Sequence, residues 1–426
     1  MLKRLSFIAG AGLMAASMWV WVQDITIAHQ EKEAAERGIP RGNLSDLYPR
    51  WLGTRELLLH GRDPYTADIT REIQIGYYGR PIDPSRPNDP KDQQAFAYPL
   101  YIVFVLAPTV QLPFPLVQRG FLWVLMAVTA ASVLLWLRAL QWQISISAKL
   151  VAIILVLGCF PVIQGFKLQQ LTLLVAVLLA GSVAAIARQK FVLAGILIAL
   201  ASIKPQLVLL ISLWLLIWVL GNWRLRQRLF WSFVGSMAVL FAGSEALMPG
   251  WIREFRNATE AYYRYTGGGK SVLDIALTPT AGRLISAILA IFLLVFLWQV
   301  RRESEGSNAF HWSLAAVLAT TLVIIPMFAP YNQVLLLPAF MLVTKTSQTL
   351  WRASRMSRFF VLVTGTSILW PWVATVALAI ALFLLPADMV ERAWPLPLVT
   401  TLMIPVSLVC LIFVARTTLC PRDTPE

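Results

Sequence analysis

Cysteine, histidine and charge are all scarce in this chain. Three cysteines (Cys159, Cys410, Cys420) and three histidines (His29, His60, His311) are spread over 426 residues. They cannot build a disulfide framework, and none falls at metal-ligand spacing, so neither a metal nor any other cofactor is expected. Only 14% of residues are charged, against about 25% in soluble domains. That shortage excludes an ordinary soluble fold. It also excludes a nucleic-acid-binding domain, which needs a polar surface to carry its basic groups. What the chain has instead is apolar bulk. Hydrophobic residues make up 58%, and the mean hydropathy is +0.67, so disorder is excluded too. The net charge of +14 is read first as Lys and Arg gathered on cytoplasmic loops.

A bilayer-spanning helix needs about 20 mostly apolar residues, and short Lys/Arg-rich loops stay inside. Lys3 and Arg4 precede an apolar run from Leu5 to Ile27, with Trp19 and Trp21 near its far end. No small-x-small cleavage site follows, so the run reads as an uncleaved anchor leading outward. Residues 28–97 form the one sizeable polar stretch. Ala97 to Leu112 is apolar but short and bounded by Pro99, Pro108 and Pro113, which suggests a re-entrant or interfacial helix. Basic residues then alternate with apolar segments: Arg138; Arg188 and Lys190; Arg224, Arg226 and Arg228; Arg301 and Arg302; Lys345 to Arg358; Arg416.

Placing every basic cluster inside predicts an all-α polytopic membrane protein of about twelve spans, both termini cytoplasmic. The expected spans are 5–27, 116–137, 150–164, 168–187, 191–203, 205–220, 229–247, 278–300, 311–326, 332–344, 359–385 and 397–415. The shorter ones fit broken helices lining a cavity. No repeat of solenoid length and no inverted pair of interrupted helices is visible. Residues 1–220 are expected to form an N-terminal catalytic module that includes an extracytoplasmic loop, 28–112. Residues 221–426 would add further helices to the same integral domain.

This threading puts several chemically active residues on one side. Asp46, in Asn43-Leu-Ser-Asp-Leu-Tyr-Pro-Arg-Trp51, is ionised at neutral pH and suits a general base. From spacing alone it better suits an N-cap for the helical-looking stretch from Arg50 to His60. Asp63 in Gly61-Arg-Asp-Pro-Tyr65 reads as a turn. Lys204 interrupts about thirty apolar residues, and a cation at that depth marks a functional site or a paired charge. Pro205 breaks the helix beside it, presenting Lys204 and Gln206 to an outer cavity or leaving a snorkelling hairpin tip. Gln164-Gly-Phe-Lys-Leu-Gln-Gln170, with Lys167 and Gln170, is a polar island fit for a headgroup or for a plain turn. Pro326-Met-Phe-Ala-Pro-Tyr-Asn-Gln333 is another, offering Tyr331 and Asn332.

Other motifs carry less. Gly267-Gly-Gly-Lys-Ser271 has Arg264 where a phosphate loop needs its earlier glycine, so a nucleotide loop is rejected. Asn43-Leu-Ser and Asn257-Ala-Thr match glycosylation tripeptides that arise often by chance. His311 beside Trp312 reads as interfacial.

Composition and topology leave an enzyme, a multi-pass transporter or lipid flippase, and a membrane scaffold all open. The order of short motifs separates them. Asp46-Leu-Tyr-Pro-Arg-Trp, Gly61-Arg-Asp-Pro-Tyr65 and Ala97-Tyr98-Pro-Leu resemble the opening of glycosyltransferase family 87, and Ala107-Pro-Thr-Val-Gln-Leu-Pro113 continues the likeness. It is seen again at Gln164–Gln170, at Leu193-Ala-Gly195 and at Ile203-Lys-Pro-Gln206, and more weakly to about Pro338. The chain departs at Pro99-Leu100, where family members carry Pro-Pro. It departs again at Ala329-Pro-Tyr-Asn332, where they often carry Trp-x-His-His.

The resemblance implies a GT-C membrane transferase that takes a hexose, often mannose, from a polyprenyl-phosphate donor and passes it to a lipid or glycan acceptor. It implies Asp46 as catalytic base and Lys204 beside the donor phosphate. Gln206, Lys167, Gln170, Tyr98, Tyr331 and Asn332 would surround the substrates. The site would face the extracytoplasmic side of the cell membrane.

Overall fold

In hydrocarbon, a backbone this apolar can satisfy its polar groups only within its own segments, which means helices. The computed structural model describes residues 2–36, 38, 45–83, 85–265, 269–326 and 328–419, and among them every regular element is helical. Asn43, Gly267, Gly268, Met327 and Cys420 lie outside the described residues.

Six helical stretches are long and apolar enough to cross a membrane: Arg4–Glu36, Phe114–Ala139, Trp223–Leu247, Pro279–Val300, Arg355–Leu384 and Ala387–Arg416. A seventh crossing arises if Ile146–Leu157 and Phe160–Lys167, bent by 55°, count as one. Thr172–Ile186, Phe191–Ala201, Pro205–Gly221 and Asn308–Ile324 are apolar but shorter. The segments expected at 168–187, 191–203, 205–220 and 311–326 are helical and apolar but shorter than the six long stretches. At about 1.5 Å per residue, seventeen-residue Pro205–Gly221 falls short of a hydrocarbon core of about 30 Å. The segment expected at 332–344 divides into a 3-10 stretch, Pro330–Leu336, and the helix Leu337–Lys345.

The 55° bend has a local cause. Pro161 stands in the first turn of the second helix and has no N–H to extend the first. A Cβ on Gly158 would lie 2.6 Å from the Ala15 Cα, so the N-terminal helix packs directly on the break. Bending there carries the 164–170 segment away from the line of the first helix.

The polar stretch after the N-terminal helix folds into Leu47–His60 and Ala67–Tyr78. Gly61 ends the first in the left-handed region (φ 66°). The Asp63 carboxylate accepts from the Tyr65 N–H at 2.8 Å, the turn expected of Gly-Arg-Asp-Pro. Ala97–Leu112 contributes a five-residue helix, Ile102–Leu106, and a 3-10 turn, Ala107–Thr109.

One basic cluster behaves differently from a solvated loop. Arg226 is buried, stacks 3.7 Å over the Trp218 ring, and donates to the carbonyls of Trp218 (2.7 Å), Arg301 (2.9 Å) and Glu303 (2.6 Å). The carbonyls of Trp218 and Arg301 close helices, where acceptors are left over, and that of Glu303 follows in the turn, so one guanidinium ties two chain turns together.

Small residues let helices approach closely without lipid between them. Helix Phe191–Ala201, which leads to Lys204, rests on Trp223–Leu247 at Gly195. A Cβ there would sit 2.4 Å from the Leu229 carbonyl oxygen and 2.8 Å from the Phe233 nitrogen. Gly195→Ala is expected to cost about 1–3 kcal/mol through overpacking and to lower the thermal unfolding midpoint in nanodiscs. Gly235→Ala, with nothing within 4 Å of the new methyl, is expected to leave it unchanged or slightly raised; equal midpoints for the two variants would refute this packing account.

Candidate functional site

Asp46 stands just before helix Leu47–His60, yet its side chain makes no capping bond. The neighbouring Ser45 hydroxyl accepts from the Leu47 N–H instead, at 3.3 Å. With its carboxylate released from capping, Asp46 reaches across the chain and accepts from the Gln170 amide nitrogen. Its backbone N–H donates to the Leu168 carbonyl at 3.1 Å, so main chain and side chain are both fixed to the end of the bent helix.

Gln169 explains how Gln170 arrives there. It adopts a left-handed backbone (φ 49°), unusual for a residue with a side chain. Its amide holds that geometry from both ends: the oxygen accepts from the Ser45 hydroxyl, and the nitrogen donates to the Gln118 carbonyl. The next residue is thereby turned toward Asp46.

Gln170 is also bonded on its other side. Its amide oxygen accepts from the Lys204 ammonium at 2.6 Å. Lysine only donates and an ionised aspartate only accepts, so the direction of this amide is dictated by its neighbours. Lys204 donates further to the Thr172 hydroxyl at 2.8 Å, and that hydroxyl donates to the Asn332 side-chain oxygen at 2.9 Å. The ammonium lies 5.1 Å from the Tyr331 ring centroid and 6.0 Å from that of Tyr98. Although only 4% exposed, Lys204 is thus surrounded by polar groups and ring faces, which favour the cation.

The Lys-Pro pair supplies this position locally. A residue before proline is driven out of helical geometry, and proline fits the first turn of the helix it opens. Lys204 has φ −121° and ψ 79° between Phe191–Ala201 and Pro205–Gly221. The Tyr101 hydroxyl pins the approach, donating to the Ser202 carbonyl at 2.9 Å.

Of the residues singled out in the sequence, Asp46, Gln170, Lys204, Asn332, Tyr98 and Tyr331 converge here. Two do not. Lys167 donates to Gln23 and lies 5.9 Å from the Trp19 ring centroid, facing the N-terminal helix. Gln206 is exposed on the first turn of its helix.

Two members of the cluster, Arg50 and Thr172, escaped the sequence reading, and Gln169 entered it only as one amide of the 164–170 island. Arg50 donates to the Asp46 carbonyl and stacks 4.5 Å over Tyr98, while its Nε is buried without a partner. Its signal was present: Asp46 and Arg50 are four apart, a spacing that places them on one helix face. Gln169 and Thr172 carried no signal beyond their neighbourhood.

Burial pushes the Asp46 carboxyl up from its ordinary value, and Asp92 adds to the rise. Arg50, Lys204 and the Gln170 bond pull the other way. A carboxyl set so accepts a proton more readily than a solvated aspartate does.

A family model described as Glycosyltransferase family 87 matches residues 96–326, more than half of the chain. The chain belongs to glycosyltransferase family 87. Neither a curated protein nor a solved structure matches it. Within the family match lie Tyr98, Gln170, Thr172 and Lys204; Asp46 and Arg50 precede it, and Tyr331 and Asn332 follow closely. Membership makes this membrane protein a glycosyltransferase, with a sugar donor and an acceptor as substrates, rather than a transporter or flippase.

Removing the Gln170 amide leaves carboxylate and ammonium without their common partner. Gln170→Leu is expected to lower the transferase rate by about 10- to 100-fold. Because it deletes a bond to the charged form, it also moves the acid limb of the rate to higher pH. With Asp46 as the base, that limb is expected in the unsubstituted enzyme above the ordinary aspartate value of about 3.9. A pH–rate profile of both proteins checks this, and coincident limbs would rule out the bridge as a control on Asp46.

Proposed function

We propose that this protein transfers a hexose, mannose being the first candidate, from a polyprenyl-phosphate donor to a lipid or glycan acceptor. The observation that carries the reading is the Gln170 amide, bonded to the Asp46 carboxylate on one side and the Lys204 ammonium on the other. An anion that takes a proton and a cation that holds an oxyanion are the two groups that glycosyl transfer from a phosphate requires.

In this mechanism Asp46 accepts the proton of the acceptor hydroxyl as its oxygen attacks the anomeric carbon. The bond from that carbon to the phosphate oxygen breaks, and the electron pair leaves with the phosphate, which gains one negative charge. Lys204 stabilises that growing charge in surroundings where water is scarce. A single displacement inverts the anomeric centre. The second carboxylic acid that glycoside hydrolysis uses to protonate its leaving group is not needed here, because a phosphate departs without a proton.

A lipid-linked donor agrees with a cavity that no side chain of the cluster lines but that reaches the residue next to Asn332. This apolar cavity of about 650 Å³ is lined by Met18, Val156, Pro161, Val334 and Phe340, and by Gln333, the residue after Asn332. The distribution of Lys and Arg supports an extracytoplasmic site in a GT-C-like bundle, with residues 1–220 supplying most of the chemistry and Asn332 joining from the second half.

The decisive experiment incubates the purified protein with labelled polyprenyl-phosphate hexoses and a panel of glycolipid acceptors. Asp46→Asn is expected to abolish transfer while expression stays intact; full activity in that variant removes the base assignment. Lys204→Gln is expected to weaken donor affinity at least tenfold, consistent with loss of a charge-assisted bond. Unchanged donor affinity removes the phosphate role.

A further inference from the structure

Next to the Asp46 cluster lies a second concavity, a cleft of about 730 Å³ between residues 65–96 and helix Trp251–Tyr265. Its walls are held in place. The Gln74 side chain donates to the Gln93 carbonyl (3.1 Å) and accepts from the Ile82 N–H (3.0 Å). Arg80 grips Asp89 with both terminal nitrogens, at 2.9 and 2.5 Å, and Asp89 also accepts from the Asp83 N–H at 2.8 Å. The Tyr78 hydroxyl donates to the Asp92 carbonyl at 2.9 Å. A loop tied at so many points presents a preformed surface rather than one that must be ordered on binding.

The lining combines two chemistries. Tyr65 and Tyr265 contribute rings, with Phe96 fully buried beneath Tyr65; Arg71, Arg80 and Arg86 contribute guanidiniums, with Asp83 the lining carboxylate. Some of this bonding capacity is already used, by Arg80 on Asp89 and by Arg86 on Asp83 at 3.5 Å. Some is free. Among the described residues Arg71 has no carboxylate within ion-pair distance, and the Tyr265 hydroxyl is buried with no hydrogen-bond partner.

We propose that this cleft binds the saccharide portion of the acceptor, and that this saccharide is anionic. Flat rings receive the C–H face of a pyranose, while forked donors and amides bond its hydroxyls in defined directions. With Arg80 paired to Asp89 and Arg86 to Asp83, Arg71 is the lining guanidinium left to attract negative charge. The volume exceeds what one hexose fills, so the cleft holds an oligosaccharide or a sugar bearing a bulky acidic group.

The cleft also shares its floor with the Asp46 cluster. Phe96 packs edge-to-face on Tyr65 at 5.2 Å. The Tyr65 hydroxyl donates to the carbonyl of Tyr98 at 2.7 Å, the residue whose ring stands beside Arg50 and Lys204. A sugar seated on Tyr65 would lie beside the floor of the Asp46 cluster. The word acceptor rests on the transferase reading above; saccharide binding does not.

The test titrates the full-length protein in nanodiscs with tetragalacturonate and with neutral maltotetraose. Tetragalacturonate is expected to bind about tenfold more tightly than maltotetraose and to lose affinity as salt rises. Arg71→Ala is expected to weaken it by about tenfold, consistent with loss of a charge-assisted bond. Arg71→Lys recovers part of that loss, and Arg253→Ala, at an arginine outside this cleft, changes nothing. Equal binding of the two tetrasaccharides, no binding of either, or indifference to Arg71→Ala overturns the proposal. So does displacement of tetragalacturonate by an equal concentration of glycerol phosphate, which would make the cleft a plain lipid-headgroup pocket. Asp46→Asn is expected to keep saccharide binding. If the unsubstituted protein binds the sugar but transfers nothing from any lipid-phosphate donor, the transferase reading falls and the cleft stands.

Discussion

A carboxylate and an ammonium inside a largely apolar protein would ordinarily collapse into a direct salt bridge. Here one amide separates them. Gln170 accepts from Lys204 and donates to Asp46, so each charge is stabilised without being consumed by the other. A direct pair would neutralise the base and occupy the cation. The remaining architecture can be read as what it takes to hold that amide in place: the left-handed turn at Gln169, the bend at Gly158 and Pro161, and the Lys-Pro break at the end of Phe191–Ala201.

The membrane imposes the second constraint. Helices in hydrocarbon gain little from burying apolar surface against one another, so close approach and polar ties set their positions. Gly195 against the Leu229 carbonyl and Arg226 across three carbonyls are of this kind. The short apolar helices are the elements that end at the cluster. Thr172–Ile186 begins beside Gln170, and Pro205–Gly221 begins beside Lys204. A helix that stops within the protein leaves its end free for polar side chains, and unwound backbone at that depth is tolerated only where it is sheltered in this way.

Much of the cluster was legible because its residues are chemically out of place. A lysine inside an apolar run, an aspartate just before a helix and amides between two hydrophobic segments each announce themselves against such a background. Lys167 announced itself as loudly yet faces the N-terminal helix, because direction along a short bent helix depends on the bend. Arg50 was quiet, since an arginine in a polar loop is ordinary until its partner is known. Span lengths were misjudged for a related reason: hydropathy reports that a segment is apolar, whereas its end is fixed by a neighbour, as Pro161 and the Ala15 contact end one helix early.

What the sequence settles by itself is the class of solvent around this protein and the secondary structure which that solvent permits. Composition alone decides both, since apolar segments of such length can bury their backbone only as helices. It also supplies the ordered motifs that belong to the family. The pairing of one amide with both a carboxylate and an ammonium was decided only in three dimensions. Residues 46, 170 and 204 stand at junctions between helices and residue 332 in a 3-10 stretch far along the chain, and no local propensity links them. Their meeting depends on a bend, a left-handed turn and a proline break acting together, and each of those sets a direction in space that a linear pattern does not encode.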